Sequence, residues 1–140
     1  MTFKRPESVL VIVYSQSGQV LMLERTEPRG FWQSVTGSLH EGESALDAAR
    51  RELAEETGLT GEVVETGITN TFPIAPAWRA RYAPDVTVNH ETVYALALER
   101  TCEVVLNPAE HVNASWLPKQ EAASMASSWT NRDAIVLLVP

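Results

Sequence analysis

The sequence predicts an α+β fold: a mixed β-sheet sandwiched between helices, as a single domain over residues 1–140. Two β-rich runs near the N-terminus flank a short turn. One helix with clear start and stop signals follows. Further strand-like runs then lead into two helical segments. That order suits a sheet with helices packed on its faces, and the length allows one domain with a real core.

Val9–Tyr14, "VLVIVY", is rich in β-branched residues and reads as a buried strand. "SQSG" is a turn, and Val20–Glu24, "VLMLE", is a second strand that forms a hairpin with the first. Phe31–Thr36 is a short strand running into Gly37. Ser44 stands three residues before Asp47, a capping-box spacing, and opens a helix over Ala45–Thr57. Ala45, Leu46, Ala48, Ala49 and Leu53 give this helix an apolar stripe, and Gly58 stops it. Glu62–Ile68, Thr92–Leu98 and Glu103–Val105 are further strands. Between the first two lies a long irregular segment containing Trp78, Arg79 and Arg81, the kind of loop that often carries function. "KQEAASMAS" and "NRDAIVLLV" read as helices, with Thr130 and Asp133 repeating the capping-box spacing at the second.

The net charge of −7 argues against a nucleic-acid partner, which would need many Lys and Arg contacts to phosphates. It does not exclude a small phosphorylated ligand held through a divalent cation. No apolar run approaches the roughly 20 residues that span a bilayer. The single cysteine, Cys102, cannot pair internally; a cytoplasmic setting and a buried thiol are expected. Oligomeric state is left open.

The helix places Glu52, Glu55 and Glu56 three and four residues apart, hence on one stripe. Like charges so arranged repel, and removal from water raises the cost. Arg51, four residues before Glu55, could offset part of it. So could a hard cation such as Mg²⁺, which prefers carboxylate oxygens and substrate phosphates. A solvated acidic face would look the same as an isolated triplet.

The surrounding stretch is more specific. Gly37, five residues, Glu43, seven residues, Arg51-Glu52-Leu53, Ala54, Glu55-Glu56, Thr57, Gly58-Leu59 is similar at all nine constrained positions to the Nudix box, G-x5-E-x7-R-E-U-x-E-E-x-G-U, here residues 37–59. The resemblance implies a Nudix hydrolase that splits a diphosphate linkage with Mg²⁺ or Mn²⁺. It implies that Glu52, Glu55 and Glu56 hold metal, that the Gly37 carbonyl adds a ligand, that Arg51 orients a glutamate and that Glu43 supports the loop.

The flanks narrow this. "KRPESVLVIVY", "VLMLER", "FWQSVTGS", "RYAP", "SWLP" and "SSWTNRDAI" resemble the bacterial dihydroneopterin triphosphate pyrophosphatases. Members release pyrophosphate and leave the monophosphate for folate synthesis. By that likeness Lys4, Arg25 and Thr36 contact substrate and Glu110 is a further metal ligand. Arg79 and Arg81 are phosphate-binding candidates, and Ser128 and Asn131 candidates for the pterin site. Trp78 and Trp129 are open between ring stacking and packing; Trp32 and Trp116 are read as packing. His40, His90 and His111 lack metal-ligand spacing and are expected at the surface or behind the site. The alternative activity is a Nudix (d)NTP pyrophosphohydrolase that cleans the nucleotide pool. A binding module without catalysis gains nothing from a box with all three glutamates present.

Overall fold

A computed structural model describes residues 2–140. Eleven elements follow one another: β1 (Glu7–Ser15), β2 (Gln19–Arg25), β3 (Trp32–Gln33), β4 (Val35–Ser38), α1 (Ala45–Thr57), β5 (Val64–Pro73), a 3₁₀ turn (Pro76–Arg81), β6 (Val88–Leu98), β7 (His111–Pro118), α2 (Lys119–Met125) and α3 (Trp129–Leu138).

All seven strands belong to one mixed sheet. β1 is central because it is apolar on both sides, with Val9 to Val13 all buried. It runs parallel to β6 along its whole length, from Glu7↔His90 to Ser15↔Leu98. On its other edge the partner changes. β2 pairs with it at Tyr14↔Val20, whereas β4 takes Ser8 to Val11. β2 turns instead to β3 and β7. The sheet therefore divides into two limbs, and the segment through Ser34 crosses between them. Ser34 is fully buried and held from both sides by Asn131: its N–H donates to Asn131 Oδ1 at 2.8 Å, and Asn131 Nδ2 donates to its Oγ at 2.9 Å.

The alternation of strand side chains gives two cores. Val9, Val11, Val13, Leu21, Leu23 and Val35 pack on Ala48, Ala49 and Leu53 of α1. Leu10, Ile12, Val20, Met22 and Val93 pack on Ala122, Ala123, Ala134 and Ile135 of α2 and α3.

Several expectations are corrected. Glu103–Val105 is not a strand; it runs past the end of α1, where Val105 N–H donates to Thr57 O at 2.8 Å. The strand in this part of the chain is β7. Ser128, not Thr130, caps α3: its hydroxyl accepts from Asn131 N–H at 3.2 Å, and Thr130 is inside the helix. Cys102 is exposed rather than buried, because the segment carrying it lies outside the sheet.

Candidate active site

Helix α1 starts and stops as its sequence dictates. Ser44 Oγ accepts from Asp47 N–H at 3.1 Å, and Gly58 adopts φ 75°, which lets its N–H close on Ala54 O. Burial of Leu53 against the sheet carries the neighbouring Glu52 and Glu56 inward, to 8% and 1% exposed, while Glu55 remains in solvent.

Arg51 organises the carboxylates. Its Nε and Nη2 form a fork on Glu43 at 2.8 and 2.9 Å, and Nη2 also donates to Ser38 O at 3.1 Å. Nη1 reaches Glu52 at 2.5 Å and Glu55 at 3.2 Å. One guanidinium thus ties the loop before the helix to two of the three helical glutamates, the planar bidentate task that suits arginine. The Arg51 fork and the His40 N–H hold the Glu43 carboxyl down at about 2.

Gly37 on β4 lies directly against the Glu52 carboxylate. A Cβ there would fall 2.5 and 2.6 Å from its two oxygens, closer than any side chain can tolerate. The absence of a side chain at Gly37 is what seats Glu52.

Glu56 is the deepest of the set. Its Oε1 is buried without a hydrogen-bond partner, 3.9 Å from His111 Nε2. Burial pushes its carboxyl well above the usual range, and the negative charges of Glu52 and Glu110 push further, against the Thr36 backbone N–H. Glu110, just before β7, is raised by its own desolvation and then by Glu52 and Glu55. Among the described residues no three His, Cys, Asp or Glu side chains converge tightly enough to form a ready metal cage. The residues nonetheless fit a divalent cation: an orphaned buried carboxylate oxygen and mutually repelling glutamates are the features a cation would relieve.

Opposite them stand three cations. The ammonium of Lys4 is pushed below the lysine range by desolvation and then by Arg81 and Arg25, while Glu52 and Glu110 pull it back. Arg25 is lowered by desolvation and by Arg81, with Glu110 and Glu56 opposing. Lys4 N–H donates to Arg81 O at 2.9 Å, which joins the 3₁₀ turn to the chain leading into β1. Both arginines lie over Trp78, with Arg25 5.0 Å and Arg81 5.1 Å from its ring centroid. The ring's negative faces lower the cost of bringing these like charges together. Arg79 turns away, its Nε donating to Ile74 O at 3.3 Å.

Lys4, Arg25 and Arg81 thus lie within electrostatic reach of the buried carboxylates, an arrangement with the charge to hold a polyphosphate beside a metal. The NUDIX domain profile matches residues 4–138. The chain belongs to the Nudix family. It is 44% identical to the dihydroneopterin triphosphate diphosphatase of Escherichia coli K12 over 95% of this chain and 91% of that protein. It is 35% identical to the Haemophilus influenzae protein of the same name, over 96% and 88%. It superposes on the structure of the E. coli dihydroneopterin triphosphate pyrophosphohydrolase with a TM-score of 0.93 at 41% identity, covering 99% of this chain and 98% of that one. The expected Nudix fold, a single α+β domain with a mixed sheet between helices, is therefore the fold found. As a Nudix hydrolase it works in a family that generally uses a divalent metal. No helix of the described residues is long and apolar enough to cross a membrane.

The remaining sequence-predicted residues lie in several parts of the fold. Thr36 is close by, on β4, but its hydroxyl donates to Val9 O at 2.8 Å. Ser128 and Asn131 lie at the start of α3, where the first caps the helix and the second holds Ser34. Trp129 beside them is 49% exposed. Trp32 packs on the α2–α3 core and Trp116 on the α1 core, as expected. His40 and His90 are exposed. His111 is not at the surface: it is buried behind Glu56, with Nε2 3.2 Å from Gln33 Nε2. Of the two places expected for the histidines, His111 takes the one behind the site; sequence reasoning missed only its neighbour Gln33. The one available signal for the burial of His111 was its place immediately after Glu110.

Proposed function

We propose that this Nudix protein is a divalent-metal-dependent pyrophosphohydrolase that converts dihydroneopterin triphosphate to dihydroneopterin monophosphate and pyrophosphate, a step of folate synthesis. The observation that carries the reading is the opposition of Lys4, Arg25 and Arg81 to Glu52, Glu56 and Glu110. For the head group the support is the likeness, along nearly the whole chain, to the E. coli and H. influenzae dihydroneopterin triphosphate diphosphatases at 44% and 35% identity.

Glu52, Glu55, Glu56 and Glu110, with the Gly37 carbonyl, would hold Mg²⁺ or Mn²⁺. A metal held there would supply acidification of a water and neutralisation of charge on the phosphates. The three cations orient the triphosphate and neutralise its non-bridging oxygens. Arg51 keeps Glu52 in place while a carboxylate of the set accepts the proton of the attacking water. The water oxygen joins phosphorus, the P–O bridge breaks, and pyrophosphate departs. We read the partner as a small-molecule triphosphate, not a nucleic acid, in the cytoplasm, and the catalytic unit as one Nudix domain over residues 1–140.

The test is product analysis with Mg²⁺ on dihydroneopterin triphosphate, dGTP and dATP, resolving pyrophosphate from single phosphate. Pyrophosphate formed fastest from the pterin is expected. Much higher kcat/KM on the nucleotides would replace this reading with nucleotide-pool cleaning.

A further inference from the structure

The α3 face of the sheet is apolar along most of its length, but not at the end nearest Lys4. Leu10, Ile12 and Val93 pack on Ile135. Two residues further toward that end, alternation puts Ser8, Glu91 and Asn89 on the same face. Asn70 and Phe72 on β5 pair directly with Glu91 and Asn89, and so share it.

Glu91 is 6% exposed and Asn89 4%. Asn70 Nδ2 donates to Glu91 Oε1 at 3.1 Å, and Thr130 at the start of α3 also hydrogen-bonds the carboxyl. Both partners are neutral. A carboxylate offers about four lone-pair positions, so roughly two are left unused. Asn89 donates to Ser8 Oγ at 2.8 Å, and its Oδ1 is buried with no partner. Burial pushes the Glu91 carboxyl upward, and the two neutral hydrogen bonds oppose it only in part. A buried acid held by neutral groups, beside an orphaned carbonyl, contributes little to stability that apolar side chains would not supply better. Both groups are acceptors in need of donors.

We propose that Glu91 and Asn89 are specificity-determining residues that accept hydrogen bonds from the head group of the substrate, selecting a fused ring whose edge carries a ring N–H beside an exocyclic amino group. A carboxylate receives such a donor pair in a bidentate manner, as it would a guanidinium. The 2-amino-4-oxo edge of a pterin has this pattern, and so does the corresponding edge of guanine. Adenine and cytosine present an amino group beside an acceptor, which would face the carboxylate with like polarity. The location fits: Lys4 and Ser8 are separated by four residues of chain, at most about 14 Å, so one triphosphate ester can reach both ends. Phe72, on the same face, offers a ring for the head group to stack on.

The inference rests on the triphosphate-hydrolase reading above, and the experiment separates the two. For wild type and Glu91→Gln, kcat/KM is measured on dihydroneopterin triphosphate, GTP and ATP, with inorganic tripolyphosphate as an inhibitor that has no head group. Binding of neopterin, which lacks phosphates, is followed by its fluorescence in the metal-free protein. The expected result is a fall of about a hundredfold in the pterin-to-ATP ratio. Neopterin binding is lost, and tripolyphosphate inhibition is unchanged. A ratio unchanged in the variant, or an equal loss on all three substrates, overturns the assignment and leaves the hydrolase reading intact. A wild type that prefers ATP overturns both. Should Glu91→Gln fail to fold by circular dichroism, Asn89→Ala is judged by the same ratio.

Discussion

Gly37→Ala is the substitution whose effect follows most directly from the structure. The added methyl would lie 2.3 Å from Glu52 Cδ, whereas ordinary contact begins near 3.4 Å, so the carboxylate must retreat by about 1.1 Å. The obstructed atoms are the tip of a flexible side chain, so the fold can accommodate the change. Its cost is chiefly the weakened Arg51–Glu52 contact, on the order of 1 kcal/mol, which for a chain of 140 residues corresponds to about 3 °C in Tm. Catalysis is less forgiving, since a misplacement of about 1 Å at a reacting centre costs roughly a hundredfold, or about 2.7 kcal/mol of barrier. The variant should therefore melt close to wild type, lose about two orders of magnitude in pyrophosphate release, and need more Mg²⁺ for half-maximal rate. Calorimetry and a coupled pyrophosphate assay over a Mg²⁺ titration read all three. Near-wild-type turnover at unchanged Mg²⁺ demand would refute the reasoning, because it would mean that the position of Glu52 does not matter.

Glu56→Gln removes a buried acid that the metal-free protein accommodates poorly; in chelator its Tm should rise by a few degrees while turnover with Mg²⁺ falls at least a hundredfold, as scanning fluorimetry and the product assay will show. His111 is lowered to about 4 by burial and by Arg25. The unfolded chain therefore takes up its proton near pH 6.5 and the folded one only near 4, so stability from this group is full above 6.5 and is lost as pH falls toward 4. Urea titrations should give a slope of up to about 1.4 kcal/mol per pH unit in that window, and His111→Gln should flatten it. Arg81→Gln should raise KM about tenfold through loss of one charge-assisted contact, whereas Arg79→Gln should leave it within about twofold; equal effects would contradict the division of labour around Trp78.

The parts of this molecule legible in its sequence are those with local causes. Ser44 and Gly58 bound α1 because a capping hydroxyl and a left-handed glycine act within a few residues. The box from Gly37 to Leu59 marks the family because its spacing reflects one helix and one loop. β7 was not legible: "HVNASWLP" pairs only with β2, is largely exposed, and so lacks the alternation that marks a half-buried strand. Likewise Glu103–Val105 is β-rich in composition, but it finds the end of α1 rather than a strand edge. Thr130 and Asp133 matched a capping spacing, yet Ser128 was nearer the true helix start. The separation of Arg81 from Arg79 and the burial of His111 depend on contacts between residues far apart in the chain. No periodicity reports those. The loan of Gly37's empty space to Glu52 is intermediate: the glycine was visible, and its neighbour fifteen residues later was not.

The changing partner of β1 has a consequence for turnover. From Ser8 to Val11 β1 is bonded to β4, while β2 has already left for β3 and β7, so Arg25 and Thr36 belong to different limbs. Under the function proposed above, a triphosphate that touched Arg25 on one limb and the β4 backbone on the other would bridge strands that share no hydrogen bond with each other. Binding would then tighten the domain across that division, and release of product would loosen it again.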